Sequence, residues 1–244
     1  WYTTSAQGDP FADISRSAIR PSNLSCEYRR APILDVAPRF SWQPVAVVPS
    51  ARNLSQAAYQ IQVFQVTPLR QTGSSRSSEL WDSGIVASQQ TLHVELPAVV
   101  KLASDASFAW RVRIWSNVGG APSSYSSNAT FGTALLNEKT DWKAPWIAPD
   151  WGMQLRLKFS LPAGKQISQA RVYAASGGYT VIFVNGDNAN LRNGNEELGP
   201  WTTWPVRVLY KAYNVAPSLI AGGDNIVGVW IGRGQYGNFA QKCE

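Results

Sequence analysis

The chain has 244 residues, 44% of them apolar, with 19 Gly and 15 Pro. That suits one large or two ordinary domains with real cores and excludes a disordered chain. The formal charge of +6 is spread evenly: residues 1–140 carry 12 Lys/Arg against 9 Asp/Glu, and residues 141–244 carry 10 against 7. Without a basic run or stripe, nucleic-acid binding is not expected.

The chain opens on Trp1 with no basic-then-apolar leader and reads as a mature or trimmed product. No apolar run reaches the roughly 18 residues of a membrane span. Asn23-Leu-Ser, Asn53-Leu-Ser and Asn128-Ala-Thr are N-glycosylation sequons. Cys26 and Cys243 match no metal-ligand spacing. Together these favour a secreted glycoprotein with a Cys26–Cys243 disulfide.

Period-two alternation dominates. In residues 59–66, Tyr59, Ile61 and Val63 point one way, and Gln60 and Gln62 the other. In residues 108–116, Phe108, Trp110, Val112 and Ile114 share one face, and Arg111, Arg113 and Trp115 the other. Residues 155–161 set Leu155, Leu157 and Phe159 against Arg156 and Lys158. Each reads as a half-buried antiparallel strand. Further strands are predicted at 170–176, 179–186, 207–215 and 225–232. His93 lies in a predicted strand, and the Ser-rich stretches 74–81 and 121–130 read as loops or loop edges. A Pro- and charge-rich passage near residue 140 divides the chain. The expectation is an all-β protein: a seven-strand fibronectin type III/immunoglobulin-like sandwich over 1–140, with Trp42 and Trp110 inside, then a second β-sandwich over 141–244.

Catalytic motifs are missing. There is no G-x-S-x-G nucleophile elbow for the single His93, and no G-x-G-x-x-G opening a helix. Glycosidases need two carboxyls about 5–9.5 Å apart across a sugar; consecutive Glu196 and Glu197 tend to point apart. No catalytic residue is assigned.

The most distinctive stretch is 184–204, "VNGDNANLRNGNEELGPWTTW". Asn-Gly at its start favours a tight hairpin. Beyond it lie Asp187, Asn188, Asn190, Asn193, Asn195, Glu196 and Glu197, a density of oxygen donors that suits Ca²⁺ or sugar hydroxyls. Trp201 and Trp204 add flat faces for a pyranose. The alternative from these residues alone is a hairpin, a solvated loop and core tryptophans.

The order of motifs resembles the N-terminal, non-catalytic half of the α-L-rhamnosidases of glycoside hydrolase family 78. "LSCEYRRAPILDVAPRFSWQ" (24–43), "AYQIQV" (58–63), "LWDSGIVAS" (80–88) and "FAWRVRIWSNVGG" (108–120) are similar to that family's fibronectin-like domain. "DWKAPWIAP" (141–149) is similar to the start of its second domain. "LRLKFSL", "ISQARVYAASGGYTVIFVNG", "LGPWTTWPVRVLYKAYNV" and "GGDNIVGVWIGRGQY" follow in family order. The resemblance implies a jelly-roll second domain, related to the rhamnose-binding modules of carbohydrate-binding family 67, where an Asp-Asn pair and Ca²⁺ help hold the sugar. Carried over, Asn195 and Glu196 stand nearest that pair, with Glu197 and Asn193 as alternates. Here Glu or Asn replaces the Asp, and Gly199-Pro200 replaces the family's Pro-Gly. Carbohydrate contacts are thus expected from Asn193, Asn195, Glu196, Trp201 and Trp204, and calcium contacts from Asn195, Glu196 and Glu197. Trp201 is the better stacking candidate, Trp204 lying nearer the strand.

The family's catalytic (α/α)₆ barrel and the last jelly-roll strands would follow residue 244. The leading expectation is therefore a secreted, non-catalytic protein binding L-rhamnose or a rhamnose-bearing polysaccharide. The rivals are a fragment of an α-L-rhamnosidase and a secreted fungal interaction factor on a degenerate scaffold. A protein partner or a second copy would complete the second sheet.

Overall fold

Strands form where apolar residues recur every second position, because successive side chains of an extended backbone point to opposite faces. The computed structural model describes residues 17–30, 33–34, 37–68, 75–148, 153–164, 166–194, 202–203 and 206–232. The chain divides into two compact units between Lys143 and Ala144.

The first unit holds β1 (Ile19–Cys26), β2 (Ile33–Leu34), β3 (Arg39–Ala46), β4 (Gln56–Pro68), β5 (Ser75–Asp82), β6 (Val94–Glu95), β7 (Ser107–Ser116) and β8 (Ala129–Thr133), followed by a single helical turn, α1 (Glu138–Asp141). The strands form a three-stranded sheet, β1-β3-β6, and a five-stranded sheet, β2-β8-β7-β4-β5. Eight strands are described there; two of them, β2 and β6, have two residues each and are too short to leave a sequence period. β1–β3, β3–β6, β4–β7 and β7–β8 pair antiparallel, and β2–β8 pairs parallel.

The inward faces follow the predicted alternation. Tyr59, Ile61 and Val63 of β4, and Phe108, Trp110, Val112 and Ile114 of β7, are buried with Phe40 and Trp42 of β3. Phe108 stacks on Phe131 at 5.0 Å, and Phe40 lies 4.6 Å from Trp110. Each such side chain contributes roughly 1.5–3 kcal/mol by leaving water. The Trp42 indole donates to Gln56 Oε1 at 2.8 Å, and Gln56 Nε2 donates to the Ser88 and Gln90 carbonyls at 3.0 Å. One buried amide thus satisfies Trp42 and anchors the chain before β6.

The outward residues of β4 and β7 form a ladder. Asp82 accepts from Gln60 and Gln62, whose carbonyl oxygens accept from Arg113 and Arg111. Both guanidiniums lie over the Tyr125 ring, at 4.9 and 4.5 Å. The Ser-rich stretch 74–81, expected as a loop or loop edge, is largely strand β5. Its serines are exposed, so it carries no apolar period. Pairing with β4 makes it a strand, and Asp82 secures its end.

The second unit contains β9 (Gln154–Ser160), β10 (Arg171–Ala175), β11 (Thr180–Val184), β12 (Asp187–Asn188), β13 (Tyr210–Asn214) and β14 (Asp224–Ile231). They form a four-stranded sheet, β12-β11-β14-β9, and a two-stranded sheet, β10-β13, all antiparallel. Its core gathers Ile182, Val184, Ala189, Tyr213 and Val215, with Val172, Leu219 and Val227 packed against them. Leu155 and Phe159 are half-buried, but Leu157 is 63% exposed. Among the described residues β9 has a neighbour on one side only, so alternation there does not ensure burial.

Candidate functional site

The stretch singled out in the sequence begins where β11 ends. Asn185 and Gly186 both have positive φ, 52° and 84°, and Val184 pairs with Asp187. This is the two-residue hairpin that Asn-Gly favours. A short helix, α2 (Ala189–Arg192), follows directly.

Most of the amides in this stretch serve its own framework. Asn188 caps α2, accepting from the Leu191 N–H at 3.1 Å. Asn190 is buried; it accepts from Ile182 N–H at 3.0 Å and donates to the Thr180 carbonyl at 3.3 Å. Asn185 accepts from Ile226 N–H and donates to the Ser218 carbonyl and Asn225 Oδ1, each at 2.8 Å. Asn225, fully buried, in turn closes the loop before β14 by accepting from Ile220 N–H and donating to the Ile220 and Gly223 carbonyls. Asp187 pairs with Arg192 and accepts from the Ser218 hydroxyl. The Ser218 hydrogen bond, then Arg192, hold its carboxyl below the usual carboxylate range.

Of the expected sugar-contacting residues, Asn193 is described. Its amide donates to the Ala189 and Asn214 carbonyls at 2.7 and 3.2 Å and accepts from Asn214 N–H at 2.8 Å. It thereby ties α2 to β13, and its side chain is engaged on three sides. Asn195, Glu196, Glu197, Trp201 and Trp204 lie outside the described residues. The framework that precedes their segment, from β11 through Asn193, is held by the side-chain hydrogen bonds of Asn185, Asn188, Asn190 and Asn193. Among the described residues there is no group of three His, Cys, Asp or Glu side chains that could hold a metal.

A feature missed by sequence reasoning lies on the outward face of the four-stranded sheet. Trp230 is 56% exposed, and its ring lies 4.9 Å from Phe183. Beside it a hollow of about 330 Å³ is lined by Met153, Gln154, Tyr179 and Val181. The Gly232 N–H bonds the Tyr179 carbonyl, and the Ile231 N–H bonds that of Met153, each at 2.7 Å. A large aromatic on the outward phase of an alternating strand is the signal that marks it.

The three sequon asparagines, Asn23, Asn53 and Asn128, are all exposed. Cys26 is buried and has no disulfide partner among the described residues; burial, with Glu27 adding to it, pushes its thiol pKa up to about 12. Its expected partner Cys243 lies outside the described residues. His93 packs edge-on against Tyr28 at 4.8 Å, and its Nε2 is buried without a partner.

Two family models match in chain order. Residues 21–137 match the Rha78A-like N-terminal immunoglobulin domain, and residues 165–243 match the α-L-rhamnosidase N-terminal domain. The chain resembles the N-terminal half of the family 78 α-L-rhamnosidases. It is 35% identical over 134 residues to an α-L-rhamnosidase of Streptomyces avermitilis, covering 54% of this chain and 12% of that protein. It is 23% identical over 228 residues to one of Formosa agariphila, covering 82% and 22%. A solved α-L-rhamnosidase from Dictyoglumus thermophilum superposes with a TM-score of 0.72 at 28% identity, over 89% of this chain and 25% of that one. The chain thus spans between an eighth and a quarter of the length of these relatives. No described helix is long and apolar enough to cross a membrane.

Proposed function

We propose that this chain is a secreted, non-catalytic carbohydrate-binding protein on a rhamnosidase-like scaffold, and that its second domain recognises L-rhamnose or a rhamnose-bearing glycan. The observation that carries the reading is the match of residues 165–243 to the rhamnosidase N-terminal domain, which spans the amide- and Trp-rich segment. In this reading Trp201 stacks on the sugar ring and Asn195 and Glu196 bind its hydroxyls. Glu197 joins those two residues around a Ca²⁺ ion, a hard cation that accepts such oxygen ligands. Asn193 supports the segment from below through its bonds to Ala189 and Asn214. Isothermal titration of the chain with L-rhamnose, with and without a calcium chelator, tests it. Saturable heat that the chelator weakens supports both parts; absence of heat with L-rhamnose and with a rhamnogalacturonan fragment removes the sugar claim.

A second reading is favoured by the small share of each relative that the chain spans: it is one portion of a longer α-L-rhamnosidase. The intact mass of the native product separates the two readings.

A further inference from the structure

In the first unit, β1 is the edge of its three-stranded sheet. Between it and residues 122–130 lies a cleft of about 890 Å³. Among the described residues its lining includes Arg20, Arg29 and Arg30 and no acidic side chain. All three arginines are exposed, and among the described residues none forms an ion pair. Ten of the 22 lining residues are Ser, Thr or Asn. The described walls are therefore rich in groups that donate hydrogen bonds.

Two further observations point to a ligand. Trp110, one of the lining residues, is fully buried, and among the described residues its indole N–H has no acceptor. A buried orphan donor is rare in a finished interior and marks a place where a partner is missing. The second is a strained turn at one end of β1. Glu27 and Tyr28 both adopt positive φ, 48° and 61°, a conformation costly for residues other than Gly. The turn is closed by Cys26 N–H to Arg29 carbonyl and Arg29 N–H to Cys26 carbonyl bonds of 3.0 and 2.9 Å. It is held by the Arg39–Glu27 fork at 2.7 Å and by Tyr28 against His93. The reversal brings Arg29 and Arg30 back to the cleft that Arg20 lines from within the strand.

We infer that this cleft is a binding site for an acidic saccharide, one bearing carboxylate or sulfate groups on a hydroxylated body. The guanidiniums take the oxyanions by charge-assisted hydrogen bonds. The hydroxyl rim suits a ligand whose whole periphery donates and accepts. Ser126 illustrates the fit: its Oγ accepts from Val112 N–H at 3.2 Å, which leaves its proton for a ligand. The site lies in the first unit and does not depend on the rhamnose reading of the second.

The test uses the full chain made without N-glycans, because the sequon residues Asn23 and Asn128 line the cleft. Trigalacturonate, its fully methyl-esterified counterpart and an oligoglutamate peptide are titrated against wild type and the Arg20→Gln/Arg29→Gln variant, with Arg30→Gln as a second variant. Both variants alter exposed side chains, and an unchanged melting temperature confirms the fold. Trigalacturonate is expected to bind, the ester not. Affinity should fall at least about tenfold in the double variant, the weight of one lost charged hydrogen bond. It should also fall steeply at about 0.5 M NaCl. No binding of trigalacturonate, or equal affinity in the variants, overturns the proposal. Oligoglutamate binding as tightly as trigalacturonate overturns the saccharide assignment.

Discussion

Replacing Asn190 by Ala separates a framework role from a ligand role for the amide-rich stretch. The substitution orphans the N–H of Ile182, a residue 2% exposed, which now donates to Asn190 Oδ1 at 3.0 Å. A buried backbone donor left unpaired costs about 1–3 kcal/mol. The bonds to the Thr180 carbonyl at 3.3 Å and the Tyr213 hydroxyl at 3.4 Å are long and add less. Together they give about 2–4 kcal/mol. Hydrogen exchange with mass spectrometry, read on peptides covering β11 and β13, reports this locally without assuming that both units unfold together. Protection there should fall about thirtyfold to several hundredfold, since about 1.4 kcal/mol is a factor of ten. β4 and β7 in the first unit should keep theirs. Unchanged protection in β11 combined with lost sugar binding would refute the reasoning and make Asn190 a ligand residue.

Gln56→Ala should destabilise the first unit by about 2–3 kcal/mol, by orphaning the buried Trp42 indole and two backbone carbonyls; calorimetry would show its transition lowered with the other unmoved. Phe108→Ala removes a fully buried ring stacked on Phe131 and should cost about 3–5 kcal/mol by urea denaturation. The Arg39 hydrogen bond holds the Glu27 carboxyl below the usual range. Because the folded pKa is the lower one, this contribution is complete above the unfolded value near ~4.3 and is lost as pH falls through the folded value. The advantage of wild type over Glu27→Gln, measured as a urea midpoint, should therefore be constant above about pH 5 and shrink at lower pH. An advantage that grew on acidification would contradict this sign.

What the sequence determined by itself was the set of alternating strands. Tyr59, Ile61 and Val63, and Phe108 through Ile114, read as inward faces and are buried, because period two is a local property of an extended chain. Asn185-Gly186 was legible as a tight hairpin for the same reason: positive φ is chosen by those residue types. The family resemblance was likewise legible in the motif order. The tertiary structure decided the rest. Serines of 75–78 became strand because β4 lies beside them, and Leu157 stayed exposed because β9 lies at an edge. Composition could not tell whether the amides of Asn185, Asn190 and Asn193 face a ligand or a backbone; only the positions of Ile226, Ile182 and Asn214 show that they hold the chain together. The arginine-lined cleft was equally hidden, since Arg20, Arg29 and residues 122–130 meet through pairings distant in sequence. Such meetings depend on which strands lie at sheet edges, and no local period encodes that.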